Sequence, residues 1–126
     1  MATIRWFPAE ELRQLKDTKV GSDSPRRQIF DDALQELESV SNGEQSTVKW
    51  VVRVGPEFIE ELRKDDSVAI MIFMHWSVLL HRLDDTWWKR FSGRRLVEDL
   101  SISFGRHGEE WDKLAIWCRE QVVLPA

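Results

Sequence analysis

Between Ser67 and Leu83 the chain reads SVAIMIFMHWSVLLHRL, a run that is apolar on nearly every side when it is wound as a helix. Such a helix is normally surrounded by other helices, because each of its sides must be removed from water. Asp65 or Asp66 is placed to cap its first turn. We therefore predict an all-α fold, a compact bundle of five or six helices around this apolar central helix.

Helical patterns flank the central run on both sides. Pro8 suits the first position of a short helix, and Ser24 followed by Pro25 predicts a second helix that continues to about Val40. Two more helices are predicted after the central run, one from Trp87 to about residue 100 and one over about residues 109–122. The second helix and the two that follow the central run each have an apolar side, which is typical of helices packed on a core.

One segment has two interpretations. Residues 47–54 read TVKWVVRV, and their β-branched side chains with partial alternation favour a strand. A lone strand has no pairing partner elsewhere in the chain, so an irregular or helical segment packed on helices is an equally good interpretation.

Size and composition narrow the function classes. The 126 residues match the usual size of one domain, so we predict a single helical domain over residues 1–126. The single Cys118 cannot form an internal disulfide, which favours a reducing intracellular compartment, cytoplasmic or nuclear. The longest uninterrupted apolar run, Val68 to Met74, is far short of the roughly 20 residues that span a bilayer, so no membrane span is expected. The net charge of −4 repels phosphate backbones, so no direct nucleic-acid binding is expected.

The titratable residues form no recognisable catalytic or metal-binding motif. His75 and His81 stand about 240° apart around a helix, so they cannot share a metal, and we predict neither a metal site nor a cofactor. His75 is read first as a core histidine that is hydrogen-bonded within the bundle, and second as a polar contact or general base in an apolar pocket. Asp84 and Asp85 are read as helix caps, or as acids acting with His75.

Large apolar side chains around the central run suggest a ligand cavity, since indole and thioether groups are polarizable and adaptable. Ordinary core packing is the competing interpretation. The candidate ligand-binding residues are Met71, Met74, His75, Trp76, Leu79, Trp87 and Trp88.

A cluster of cations follows these tryptophans: Lys89, Arg90, Arg94 and Arg95. A solvated face paired with the following acids, Glu98 and Asp99, is the first interpretation of this cluster. The second is a site that holds an anion or the acidic face of a partner.

The centre of the chain also resembles a known family. Residues 74–85 read MHWSVLLHRLDD, the pair Trp87-Trp88 follows, and residues 93–97 read GRRLV. In this order, with tryptophans in the last helix, these motifs resemble the C-terminal part of the fungal-specific transcription factor domain, closest to sterol-uptake control type zinc-cluster regulators. The resemblance implies an all-helical regulatory domain that binds a sterol in an apolar cleft. The family's zinc cluster of six cysteines, which contacts DNA, is missing from this sequence.

These observations predict a non-catalytic regulatory or ligand-binding module that binds an apolar metabolite, sterol- or terpenoid-like, or a protein partner. The alternative is a small stand-alone enzyme of secondary metabolism, a cyclase or isomerase acting on a hydrophobic terpenoid or polyketide. Its catalytic groups would be His75, Asp84 and Asp85, since such a reaction needs only a dry, shaped pocket with one or two polar residues. A third interpretation is an incomplete bundle or a homodimer, in which a second copy covers exposed apolar surface.

Overall fold

The structure is a computed structural model that describes residues 7–21, 24–44, 46–83, 86–105 and 108–123. Over these ranges the chain forms α-helices and no strand, which confirms the predicted all-α fold. The described ranges contain seven helices, where five or six were predicted. The helices are α1 (Ala9–Lys19), α2 (Pro25–Ser41), α3 (Thr47–Arg53), α4 (Gly55–Arg63), α5 (Ser67–Leu83), α6 (Trp87–Phe104) and α7 (Glu109–Gln121).

Helix α5 is the centre of the bundle, as its sequence predicts. It contacts each of the other six helices, and side chains on most of its circumference are buried. Asp66 caps its first turn, because the carboxylate accepts the backbone N–H groups of Val68 at 2.9 Å and Ala69 at 3.1 Å. No helix in the described ranges is long and apolar enough to cross a membrane.

The start of α2 also follows from its local sequence. The Ser24 hydroxyl accepts the N–H of Arg26 at 3.2 Å, and Pro25 occupies the first turn. The predicted apolar face is confirmed, since Phe30, Ala33, Leu34, Leu37 and Val40 are all buried.

Residues 47–53 form helix α3, so the strand interpretation is wrong and the helical alternative is right. Trp50 decides the outcome: it is 1% exposed, and its indole N–H donates to the carbonyl of Ala33 at 3.0 Å. The Ser46 hydroxyl accepts the N–H of Lys49 at 3.3 Å and so caps the helix. With no strand to pair with, the backbone satisfies its own hydrogen bonds, and tertiary packing overrides the β-propensity of the valines.

Helices α5 and α6 approach each other closely at Gly93. A Cβ atom at this position would lie 2.6 Å from the Ser77 carbonyl oxygen and 2.7 Å from the His81 nitrogen. Beyond this contact Val97 is fully buried, and Leu96 and Leu100 pack partly buried against the core. Helix α6 is therefore held against α5 along its inner side, as predicted, and it presents its other side to solvent.

Candidate functional site

An apolar groove lies between α3 and α6, with α5 as its floor. Its volume is about 320 Å³. The lining residues are Val48, Val51 and Val52 from α3, Trp76 and Leu80 from α5, and Trp88, Lys89 and Ser92 from α6. The consecutive helices α5 and α6 thus meet the more distant α3 in one groove.

The α3 wall follows from the way in which this helix is anchored. Thr47 and Trp50 face the core, so at 100° per residue Val48 and Val52 fall on the opposite side of the helix, and Val51 lies on its flank. Val48 is 47% exposed and Val52 is 78% exposed. An outward stripe of valines does not stabilise a helix in water, so this wall is a candidate contact surface.

Trp76 forms a rigid floor. Its ring stacks on Trp50 at a centroid distance of 5.6 Å and on Phe73 at 5.3 Å. Its indole N–H donates to the carbonyl of Thr47 at 2.8 Å. Because this donor is already used, Trp76 offers the groove an apolar surface and no N–H donor.

The α6 wall combines one aromatic ring with one cation. The ammonium nitrogen of Lys89 lies 5.3 Å from the centroid of the Trp88 ring, a cation–π contact. The Ser92 hydroxyl donates to the carbonyl of Trp88 at 2.8 Å. Trp88 is 52% exposed, and Trp87 and Phe91 beside it are 78% and 62% exposed. We call Trp87, Trp88 and Phe91 the aromatic ridge.

The predicted ligand-binding residues divide between two regions. Trp76 and Trp88 come together in the groove, and Trp87 lies beside it on the aromatic ridge. By contrast, Met71, Met74 and Leu79 are fully buried in the core. These three side chains are not among the groove-lining residues that the structure describes.

His75 belongs to the core. It is fully buried, its ring stacks on Trp117 at 5.4 Å, and Phe7 meets it edge-on at 5.8 Å. Since a carbonyl can only accept, Nδ1 carries the hydrogen and donates to the Met71 carbonyl at 2.8 Å. Burial lowers the pKa of His75 to about 4, so the ring is neutral at pH 7. Within the described part of the chain, Nε2 has no hydrogen-bond partner.

The other candidate catalytic or metal-binding groups do not form a site with His75. Cys118 lies next to it, with Sγ 3.5 Å from Nδ1, but the thiol is fully buried and burial raises its pKa. Asp84 and Asp85, the acids of the enzyme hypothesis, lie outside the described residues. Across the described ranges, no group of three His, Cys, Asp or Glu side chains is close enough to hold a metal ion.

The cations of α6 surround the aromatic ridge. Arg90, Arg94 and Arg95 are exposed, and Lys89 is half-buried at the groove. Arg95 contacts Asp99 at 3.4 Å, with both side chains more than half exposed. The predicted pairing with Asp99 is thus present for Arg95.

Sequence reasoning missed the α3 wall, although a signal for it was present. Read as a helix, residues 47–53 place Trp50 on one side, Val48 and Val52 on the other, and Val51 on the flank. A short helix with two apolar sides covers a core with one and leaves the other exposed.

Comparisons with protein-family models, with curated proteins and with solved structures found no match to this chain. The candidate site therefore rests on the geometry of the groove.

Proposed function

We propose that this chain is a non-catalytic binding module that holds an apolar segment of a protein partner in the groove between α3 and α6. The observation that carries this proposal is the lining of the groove. It exposes valine and tryptophan side chains to water on two walls while its floor is rigid. Contiguous exposed apolar surface beside polar residues is typical of a protein contact site.

The openness of the groove favours a protein segment over an apolar metabolite. A small-molecule site usually buries roughly 70–90% of its ligand's surface. Here the wall residues Val52 and Trp88 are themselves more than half exposed, so a sterol- or terpenoid-like ligand would remain largely in water. The deeper residues Met71 and Met74 are packed in the core with no exposed surface.

The same lining favours binding over catalysis. Lys89 is the one titratable side chain among the described lining residues, and His75 lies in the core rather than in the groove. The resemblance to fungal transcription regulators adds an expectation about context: a regulatory module, cytoplasmic or nuclear, whose partner is another protein of a regulatory complex. That relation stays a prediction.

Photocrosslinking from the groove tests the proposal. A photoreactive phenylalanine analogue replaces Val52 at the rim and, as a control, Ile116, which is 42% exposed on α7. We expect one discrete partner segment to crosslink from position 52 and not from position 116. That segment, made as a peptide, should lose at least about tenfold in affinity for Val52→Asp and less than about twofold for Ile116→Asp.

Two results would contradict the proposal. Equal loss of affinity in both variants would place the contact outside the groove. The second result would come from native mass spectrometry of the protein after mixing with a lipophilic extract. A discrete small-molecule adduct that Val52→Asp abolishes would establish a metabolite site instead. The same spectra report whether the protein is a monomer or a homodimer.

A further inference from the structure

We infer that the partner segment is an amphipathic helix that carries carboxylates beside its apolar side. This inference rests on the proposed function, because the same groove receives the apolar side chains of the segment. It adds the backbone conformation and the charge of the partner.

The helical conformation follows from the scarcity of polar groups in the groove. An extended peptide needs partners for its backbone N–H and C=O groups, whereas a helix satisfies most of them internally. The Trp76 indole N–H already donates to Thr47, and the Ser92 hydroxyl already donates to Trp88. The remaining uncharged lining residues are valine, leucine and tryptophan, so the groove offers an extended backbone few partners beyond the Ser92 oxygen and the Lys89 ammonium.

The charge of the partner follows from the charge of α6. From Thr86 to Val97 the chain carries four cations and no carboxylate, although the whole protein has a net charge of −4. Asp84 and Asp85, outside the described residues, precede this stretch. Lys89 lines the groove itself.

Arg95 extends the positive surface along the groove wall. It follows Trp88 and Ser92 at steps of three and four residues, which puts it on the same side of α6. Its contact with Asp99 is long and exposed, so the pair contributes little energy and can be exchanged for a partner's carboxylate. An acidic helix therefore complements this wall.

Two other occupants fit less well. A second copy of this chain in a two-fold dimer would bring the cations of both α6 helices to one interface, where they repel each other. A flat membrane surface cannot fill a groove whose floor, Trp76, lies below two walls.

Selection from a phage-displayed library of helical peptides with randomised surface positions tests the inference. We expect the peptides selected on the wild-type protein to contain at least about twice the Asp and Glu of the input library, with apolar residues at helical spacing. Their affinity should fall at least about tenfold for Lys89→Glu/Arg95→Glu and weaken with added salt. The control Lys64→Glu/Lys113→Glu makes the same change in net charge away from the groove and should cost less than about twofold.

The outcomes distinguish failure of the acidic-helix inference from failure of the proposed protein-binding function. Peptides that depend on Val52 but show no acidic enrichment would overturn the charge inference and leave the groove intact as a protein site. If no selected peptide responds to Val52→Asp, the proposed function itself fails. Peptides that are displaced by vesicles containing phosphatidylserine, or by dimer formation, would overturn the acidic helix in favour of that occupant.

Discussion

Replacing Gly93 with alanine perturbs the contact between α5 and α6 that sets the position of the groove's second wall. The added Cβ would lie 2.6 Å from the Ser77 carbonyl oxygen and 2.7 Å from the His81 nitrogen. Both are backbone atoms of α5, so no side-chain rotation can relieve the contact. Ordinary contact begins near 3.4 Å, so α6 has to move away by roughly 0.8 Å.

Two effects of opposite sign determine the change in stability. Alanine is favoured over glycine inside a helix by about 1 kcal/mol. Forcing an extra group into a packed interface costs about 1–3 kcal/mol, and the cost lies at or above the upper end where only backbone can yield. We expect the free energy of unfolding to fall by about 2 kcal/mol or more.

Urea unfolding followed by far-UV circular dichroism measures this change. Gly21→Ala is the control, because no atom of the described residues, its chain neighbours aside, lies within 4 Å of the Cβ that it adds. It should be neutral or stabilise by up to about 1 kcal/mol, since alanine restricts the unfolded chain. A Gly93→Ala protein as stable as the wild type would refute the close packing of α5 on α6. If stability falls as expected, groove-binding peptides should also bind more weakly, because Trp88 moves with α6.

Three further predictions concern single sites. The pKa of His75 is about 4 in the folded protein against an ordinary value of 6.5, so the unfolded chain takes up the proton first as pH falls. Stability should therefore be full above about pH 6.5 and drop by up to about 3 kcal/mol towards pH 4 in urea titrations, with a flatter profile in His75→Gln. Cys118 should react with a thiol reagent only as fast as the protein opens, since the thiol is fully buried; rapid labelling of the native protein would contradict that burial. Val52→Asp should change the free energy of unfolding by less than about 0.5 kcal/mol, because Val52 is 78% exposed; a larger loss would show that the valine stabilises the fold.

The architecture was largely predictable because its signals are local. A run without a polar side must be surrounded, whichever helices surround it, and α5 indeed contacts the other six. The caps at Ser24 and Asp66 accept hydrogen bonds from backbone N–H groups two or three residues later, so the local sequence is enough to predict them.

The candidate site was predictable only in part. The set built from large apolar residues contained Trp76 and Trp88, which share the groove, together with Met71 and Met74, which do not. At 100° per residue, Trp76 projects about 140° away from Met71, so the two cannot face one cavity on a straight helix. The prediction grouped the residues by side-chain type and did not consider the direction in which each side chain projects from the helix.

Composition and helical spacing were sufficient to establish that this chain is helical and that α5 is its buried centre, because burial on all sides is a property of one segment. They could not settle the conformation of residues 47–53, where β-propensity and the lack of a pairing partner conflict. The anchor of Trp50 on Ala33 resolved it. Nor could they show the groove, since it joins α5 and α6 to α3, which lies beyond α4 in the sequence. Which apolar side of a helix stays uncovered depends on where the other helices pack, and that is a property of the tertiary structure.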